Sequence, residues 1–366
     1  MKRVAFVAVL GLGLAACSQQ PAEAPPSPTS TPGVVATAKP TATAVGDDHA
    51  VPKPGEQKTF RDWTVACDNV ARCAMASLGT DVDFPAVTMQ VARAAGPDGA
   101  VEVALAMPQG DGDPPATLRI DSRAFAVGGN GLSGASAERI ARALANATTI
   151  EALDKHGKRL GTISAAGASA ALRYIDAQQG RVGTVTALVA HGDKPAAAVA
   201  AARPAPRVRA VAFGGTAAAL TPALLAGMRR TAECDPSFSS PEPRAHGLAD
   251  GATLVLLPCS AGAYNEIDAL FVVRDGKATP AKVDAPAGFE ETGADSRTPV
   301  HSVINGDVDG GVLRSYAKGR GLGDCGVMQS FVWDGAQLRL TGQRAMGECR
   351  GNPDYLPVWQ AQVVRG

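Results

Sequence analysis

The chain has 366 residues, enough for two domains, and its 35 basic and 35 acidic side chains give a formal charge of zero. Aromatic residues make up only 4%. Together these exclude a nucleic-acid footprint, which needs clustered Lys and Arg to displace counterions from phosphates.

The amino end reads as an address. Lys2 and Arg3 precede an apolar run from Val4 to Leu14, followed by Leu14-Ala15-Ala16-Cys17 and a polar stretch from Ser18. As a helix that run rises about 16 Å, roughly half a hydrocarbon core, so it is expected to be the core of a cleaved signal peptide, not a spanning segment. The Leu-Ala-Ala-Cys quartet resembles the lipobox of bacterial lipoproteins. The resemblance implies a signal peptide over residues 1–16 and a lipidated Cys17 as the first residue of the mature chain. Several acyl chains, at about 0.8 kcal/mol per buried methylene, give lasting attachment to a membrane. Ser18, where an Asp is absent, is similar to the version of this signal that sends lipoproteins to the outer membrane, facing the periplasm.

Cysteine spacing agrees with an oxidising compartment. Besides Cys17 there are Cys67, Cys73, Cys234, Cys259, Cys325 and Cys349, an even set that allows fifteen pairings. Their positions form three neighbouring couples, and the expected bridges are Cys67 with Cys73, Cys234 with Cys259, and Cys325 with Cys349. A zinc site is the rival, but no CxxC spacing appears and the five histidines are scattered.

Residues 17–57 form a lipid anchor and a linker rich in Pro, Ala and Thr, with too little apolar content to fold. An amino-terminal module over 58–191 opens with Phe60-Arg-Asp-Trp-Thr-Val-Ala-Cys-Asp-Asn69. Short strands are predicted at 87–92, 101–106 and 117–120, with a turn at Gly96-Pro97-Asp98-Gly99. Ser136 reads as the cap of a helix reaching Asn146, His156-Gly157 as a hairpin turn, and Ala168, Leu172 and Ile175 as one stripe of a helix closed at Gly180. An Ala/Pro linker is expected over 192–209 and a carboxy-terminal module over 210–366. There Thr221-Pro222 caps a helix ending in Arg229-Arg230. Phe271-Val-Val-Arg-Asp-Gly276 and Phe331-Val-Trp-Asp-Gly335 each read as a strand ending in an Asp-Gly turn. The predicted fold class is α+β: two mainly antiparallel β-rich modules with a few short packed helices, behind a lipoprotein signal and a disordered linker.

Five segments in order, Asp62-Trp63-Thr-Val-Ala-Cys67-Asp-Asn69, Ala171-Leu-Arg-Tyr-Ile-Asp176-Ala-Gln-Gln-Gly-Arg181, Pro258-Cys-Ser-Ala-Gly-Ala-Tyr-Asn265, Lys318-Gly-Arg-Gly-Leu-Gly-Asp-Cys-Gly326 and Trp333-Asp-Gly335, carry a resemblance. Over about residues 58 to 366 the chain resembles a family of Gram-negative envelope proteins, domain of unknown function eleven seventy-six. Its first module is also similar to the invasion-associated locus B family. Neither resemblance implies a catalytic residue.

The glycine-rich run Lys318 to Gly326 holds four glycines and two cations. It offers a backbone nest for an anion, or a tight loop in which Arg320 pairs with Asp324. A strand instead of a helix follows it, so it is not a dinucleotide loop. Ser315-Tyr-Ala-Lys318 fits the SxxK pattern of penicillin-binding serine enzymes without that family's other motifs. Asn305, Asp307 and Asp309 have calcium-loop spacing, but Tyr316 stands where a bidentate Glu is needed. Trp63 and Trp333 are expected in the core, and Arg173, Asp176 and Arg181 on a solvated helix face open to a partner.

The expected function is that of an outer-membrane-anchored binding or interaction protein with no cofactor and no resident metal, held to the membrane by its lipid. Its partner is expected to be a protein or an anionic envelope component, and the surface to include Lys318, Arg320, Asp324, Tyr264, Asn265, Arg173, Asp176 and Arg181. One alternative is inhibition of a lysozyme-type hydrolase, because Ser260-Ala-Gly-Ala-Tyr264 and Tyr316-Ala-Lys-Gly319 resemble, with altered spacing, the motifs of C-type lysozyme inhibitors. The other is a peptidoglycan hydrolase built on Ser315 and Lys318.

Overall fold

A computed structural model describes residues 51–79, 84–108, 110, 112–128, 131–284 and 299–365. The predicted leader, the lipidation residue Cys17 and most of the linker lie outside the described residues.

The first module begins with β1 (Gln57–Phe60), β2 (Trp63–Cys67), β3 (Cys73–Ser77), β4 (Thr88–Arg93) and β5 (Val101–Ala106), an antiparallel meander. Then come β6 (Thr117–Ile120), β7 (Arg123–Ala126), β8 (Leu132–Ser133), α1 (Gly134–Leu144), β9 (Ile150–Leu153), β10 (Arg159–Ile163) and α2 (Ala168–Gln178). The meander with β8 makes one sheet, and β10-β9-β6-β7 makes a second. Between them Trp63, Val65, Met75, Met89 and Val91 meet Leu118, Ile120 and Ile150, with Ile140 of α1 and Leu172 and Ile175 of α2 closing the core. The predicted tryptophan therefore is core, and its Nε1 donates to the Ser164 carbonyl at 2.8 Å. Helix α1 starts earlier than predicted from Ser136: Ser133 is paired with Glu102 in β8, and the chain enters the helix at Gly134 with φ of 64°, a conformation glycine adopts freely.

The second module contains β11 (Arg207–Ala210), β12 (Phe213–Gly215), α3 (Pro222–Thr231), β13 (Arg244–Leu248), β14 (Thr253–Ala261), β15 (Glu266–Arg274), β16 (Lys277–Pro280), β17 (Ser302–Ile304), β18 (Asp307–Asp309), β19 (Val312–Lys318), β20 (Gly326–Trp333), β21 (Leu338–Met346), β22 (Leu356–Gln360) and β23 (Gln362–Arg365). Strands β12 to β16 form one antiparallel sheet, with β17 added on β15, and β18 to β22 form another. Their facing sides bury Leu254, Leu256, Leu270, Leu313, Phe331, Trp333 and Leu340. Helix α3 covers the outer face of β14 and β15 through Met228. Its start follows the prediction: Pro222 opens the helix and the Thr221 hydroxyl accepts from the Leu224 N–H at 3.3 Å. Asp275 and Gly276 take φ of 51° and 72° between paired Arg274 and Lys277, the two-residue hairpin the sequence called for. One departure from antiparallel pairing is β11 with β23, a parallel ribbon that places 207–209, assigned to the linker from sequence, in a strand.

Period-two alternation explains how the modules meet. In β2 and β3 the large residues Trp63, Val65 and Met75 face the first core, so the alternate positions Ala66, Ala74 and Ala76 face away. Ala66, Ala74 and Ala92 are register neighbours across β2, β3 and β4. This row of small side chains packs against Tyr355, Leu356 and Val358 at β22, making a third core from both modules. Polar bonds ring it. Arg350 pairs with Asp62 at 2.7 Å, Asn352 Nδ2 donates to the Ser77 carbonyl at 2.6 Å, and the Gly55 N–H donates to the Val358 carbonyl at 2.8 Å. The three disulfides are the predicted ones: Cys67–Cys73 across β2 and β3, Cys234–Cys259 between the end of α3 and β14, and Cys325–Cys349 beside the shared core.

Candidate functional site

Two loops meet at one end of the second module. One joins β14 to β15 and carries Tyr264 and Asn265. The other joins β19 to β20 and is the glycine-rich run predicted from sequence. Paired Lys318 and Gly326 pinch the second loop at its base. There a Cβ at Gly319 would lie 2.8 Å from the Cys325 sulfur, and one at Gly326, whose φ is 134°, would run into the Ala317 carbonyl. Only glycine fits both places.

The loop is braced from several sides. Arg320 makes two bonds to Asp324, Nε to Oδ1 at 2.7 Å and a terminal nitrogen to Oδ2 at 2.6 Å, and the Gly351 N–H donates to the same Oδ2 at 2.6 Å. The Tyr316 and Tyr355 hydroxyls donate to the Gly323 carbonyl at 2.6 and 3.1 Å. The Tyr264 hydroxyl donates to the Gly319 carbonyl at 3.1 Å. Asn265 brackets Lys318, donating to its carbonyl at 2.9 Å and accepting from its N–H at 3.1 Å. Asn305 supports Asn265 in turn, with a 3.0 Å bond to its Oδ1.

Burial alone pushes the Asp324 carboxyl up, but the Arg320 guanidinium and the Gly351 N–H outweigh it and hold the pKa below the usual carboxylate value. Burial drives the Tyr355 phenol far above its ordinary range, so it stays a donor at any relevant pH. The Lys318 ammonium lies 5.5 Å from the Tyr316 ring centroid and is in no ion pair with a described residue. Tyr264 and Leu322 are 40% and 51% exposed, unusual for large apolar side chains in this fold. The arrangement is a rigid, outward double loop with an apolar tip and a cation. Behind it a cleft of about 580 Å³ is lined by Gly55, Gln57, Gly319, Cys325, Cys349 and Val358.

The structure thus brings together Tyr264, Asn265, Lys318, Arg320 and Asp324. It separates the others. Asp176 and Arg181 are fully buried, not on a solvated face. Asp176 accepts from the N–H groups of Leu188 and Val189 at 2.9 and 2.8 Å, while Arg181 donates to the Gly96 carbonyl at 2.5 Å and to Gln179 at 2.8 Å. The expected common helix face does not form: α2 ends at Gln178, so Arg181 lies beyond it, and the chain after α2 folds back over Asp176 and Arg181. Arg93 packs beside them, and burial first, then Arg181, lowers its pKa to about 10. Only Arg173 of that set is exposed.

Nor do Asn305, Asp307 and Asp309 form a calcium loop. Asp307 and Asp309 belong to β18, Asp309 pairs with Arg314 at 3.1 Å, and the Asn305 side chain points into the braces of the double loop. Among the described residues no group of three or more His, Cys, Asp or Glu side chains is gathered as a metal site. Ser315 is buried on β19, where its Oγ accepts from the Ile304 N–H at 3.0 Å. Three strand positions separate it from Lys318, so the two side chains point to opposite faces and make no nucleophile–base pair. Leu322 was missed from sequence, and Asn305 was singled out as a calcium ligand when its side chain braces the double loop. A large apolar residue inside a glycine-rich surface loop was the available signal for the first.

Residues 57–364 match the family described as "Protein of unknown function (DUF1176)". The chain is also similar to "Uncharacterized protein YpfG" of Escherichia coli (strain K12), 29% identical over 332 residues that cover 82% of this chain and 91% of that protein. No solved structure matches. A separate likeness of the first module to the invasion-associated locus B family does not emerge from these comparisons. The match spans both modules and the double loop between its limits, and the chain belongs to the DUF1176 family of proteins of unknown function.

Proposed function

We propose that the protein is a lipid-anchored lipoprotein of the cell envelope, attached through Cys17 to the outer membrane and facing the periplasm, that acts by binding and not by catalysis. The double loop of Tyr264, Lys318 and Leu322 is its contact surface for a protein or anionic envelope partner. The observation that carries this reading is the convergence of two loops 55 residues apart, locked by the Tyr264 bond to Gly319, with exposed Tyr264 and Leu322 side chains and, at the loop's base, Lys318 in no ion pair with a described residue. Pre-organised loops lose little entropy on binding, and buried aromatic anchors supply much of interface affinity. Capture by the mature chain from an envelope extract, read by mass spectrometry, should be lost in a Tyr264→Ala/Lys318→Ala double variant. Unchanged capture would remove the loop from consideration. For the anchor, the mass of the amino-terminal peptide should show an acylated Cys17.

A second reading is favoured by the same geometry. The Ser260 to Tyr264 and Tyr316 to Gly319 segments, whose likeness to lysozyme-inhibitor motifs is visible only in two separate stretches of sequence, lie side by side. A cationic loop of this kind suits a hydrolase cleft that carries catalytic carboxylates. Lysozyme turnover in the presence of the purified chain decides it: undiminished turnover excludes inhibition. The peptidoglycan hydrolase alternative has no comparable support, given the opposite orientation of Ser315 and Lys318.

A further inference from the structure

We propose that Arg203, Arg207 and Arg209 form a basic strip that lies against an anionic phospholipid surface and seats the folded body on the bilayer. The inference rests on the anchoring reading above and adds a second contact to it.

The strip is built by the parallel ribbon. Val208 is buried, so period-two alternation turns its neighbours Arg207 and Arg209 outward, and both are exposed, as is Arg203 just upstream. None of the three is in an ion pair or hydrogen bond with a described side chain. Most other arginines of the fold are, Arg72, Arg119, Arg244 and Arg350 among them.

Its place in the fold points to a membrane. The described chain enters at Val51, 69% exposed, and is fixed to β22 where Gly55 bonds Val358. Strand β22 leads through Ala361 into β23, and Gln362 is the register partner of Arg207. Gln362 is four residue steps from Val358, at most ~13 Å of extended chain. Arg207 therefore lies on the segment that continues directly from the strand to which the start of the described chain is fixed, with Arg209 two residues further along. Guanidinium groups suit lipid phosphates because each offers a planar fork of donors. Each basic side chain near an anionic surface raises partitioning about fivefold, so three together give roughly a hundredfold. That is weak for a free protein and sufficient for one whose tether already keeps it at the surface.

The test uses residues 18–366 without acyl groups, which retain every described residue, sedimented at low salt with vesicles of phosphatidylcholine alone or with phosphatidylglycerol. Binding should require phosphatidylglycerol and weaken with salt. An Arg203→Gln/Arg207→Gln/Arg209→Gln variant, with an unchanged melting temperature, should partition roughly a hundredfold less, and each single variant about fivefold less. Equal binding to both vesicles, or a triple variant that binds like the parent, overturns the proposal. So does complete competition by inorganic phosphate, which would mark a phosphate pocket instead of a lipid surface. Lipidation of Cys17 is read separately from the mature amino-terminal peptide. An unacylated Cys17 beside intact vesicle binding would sink the anchor alone, and an acylated one beside absent binding would sink the strip alone.

Discussion

Asp324 lies beneath the glycine-rich loop with no exposed surface, and Arg320, four residues earlier, covers it with two hydrogen bonds while remaining 27% exposed. The pair holds the loop's curvature, and the Gly351 bond ties that curvature to the segment that packs the modules together. Asp324→Asn keeps the size but removes the charge. It should lower stability by about 1–3 kcal/mol, the partial exposure of Arg320 reducing what a buried pair would cost. Because the folded-state pKa of Asp324 is depressed, its contribution is present above the ordinary carboxylate pKa and lost as pH falls through the folded value. Urea melts of parent and variant should therefore converge in acid, and a gap that stays constant with pH would refute the assignment.

The Cys325–Cys349 bridge closes 24 residues between the end of that loop and the start of the clasp around the shared core. On the chain-entropy account a loop of this size contributes about 3.5 kcal/mol. Replacing both cysteines by alanine should lower the urea midpoint accordingly and increase proteolysis at 347–355 first. Cys234–Cys259, at a separation of 25, should give a similar loss of stability with no change at that segment.

Much of this was legible in the sequence because the signals were local. Neighbouring cysteines paired with each other, Thr221-Pro222 began its helix, and Asp275-Gly276 turned its hairpin. Asp176 and Arg181 show where local signals stop. Helical spacing placed both beside Arg173, but α2 ends at Gln178, and whether water or chain lies over Asp176 and Arg181 depends on residues 184–190 folding back. The same holds for the double loop. Tyr264 and Lys318 could each be singled out, yet their meeting depends on β17 and Asn305 bringing the ends of β15 and β19 together, which no short spacing encodes.

Asp268 is expected to oppose Asp324 in its pH dependence. It is fully buried on β15, with Arg244 at 2.7 Å and the Gly306 N–H at 3.1 Å, yet burial outweighs both and pushes its pKa up to about 6. A carboxyl raised in the folded state contributes stability below its unfolded pKa and loses it as pH rises through the folded one. The parent should therefore lose roughly 2–3 kcal/mol relative to Asp268→Asn between about pH 4 and pH 7. Parallel stability curves for the two proteins across that window would show that Asp268 titrates as an ordinary carboxylate.

The row Ala66, Ala74 and Ala92 makes the most direct claim about why the two modules form one body. Any larger side chain at its centre must displace β22, since the opposite face of β3 is already filled by Met75 and the first core. Ala74→Leu should cost about 1–3 kcal/mol by overpacking although it adds apolar surface. Ala124→Leu, on the exposed strand β7, should change stability by less than about 0.5 kcal/mol. Amide exchange should locate the damage: faster at 355–360 in the Ala74 variant, unchanged in α1 and α2, whose contacts belong to the other face of the sheet. If Ala74→Leu were neutral, or if exchange rose in the helices and not at β22, the small residues would not be what lets the modules close.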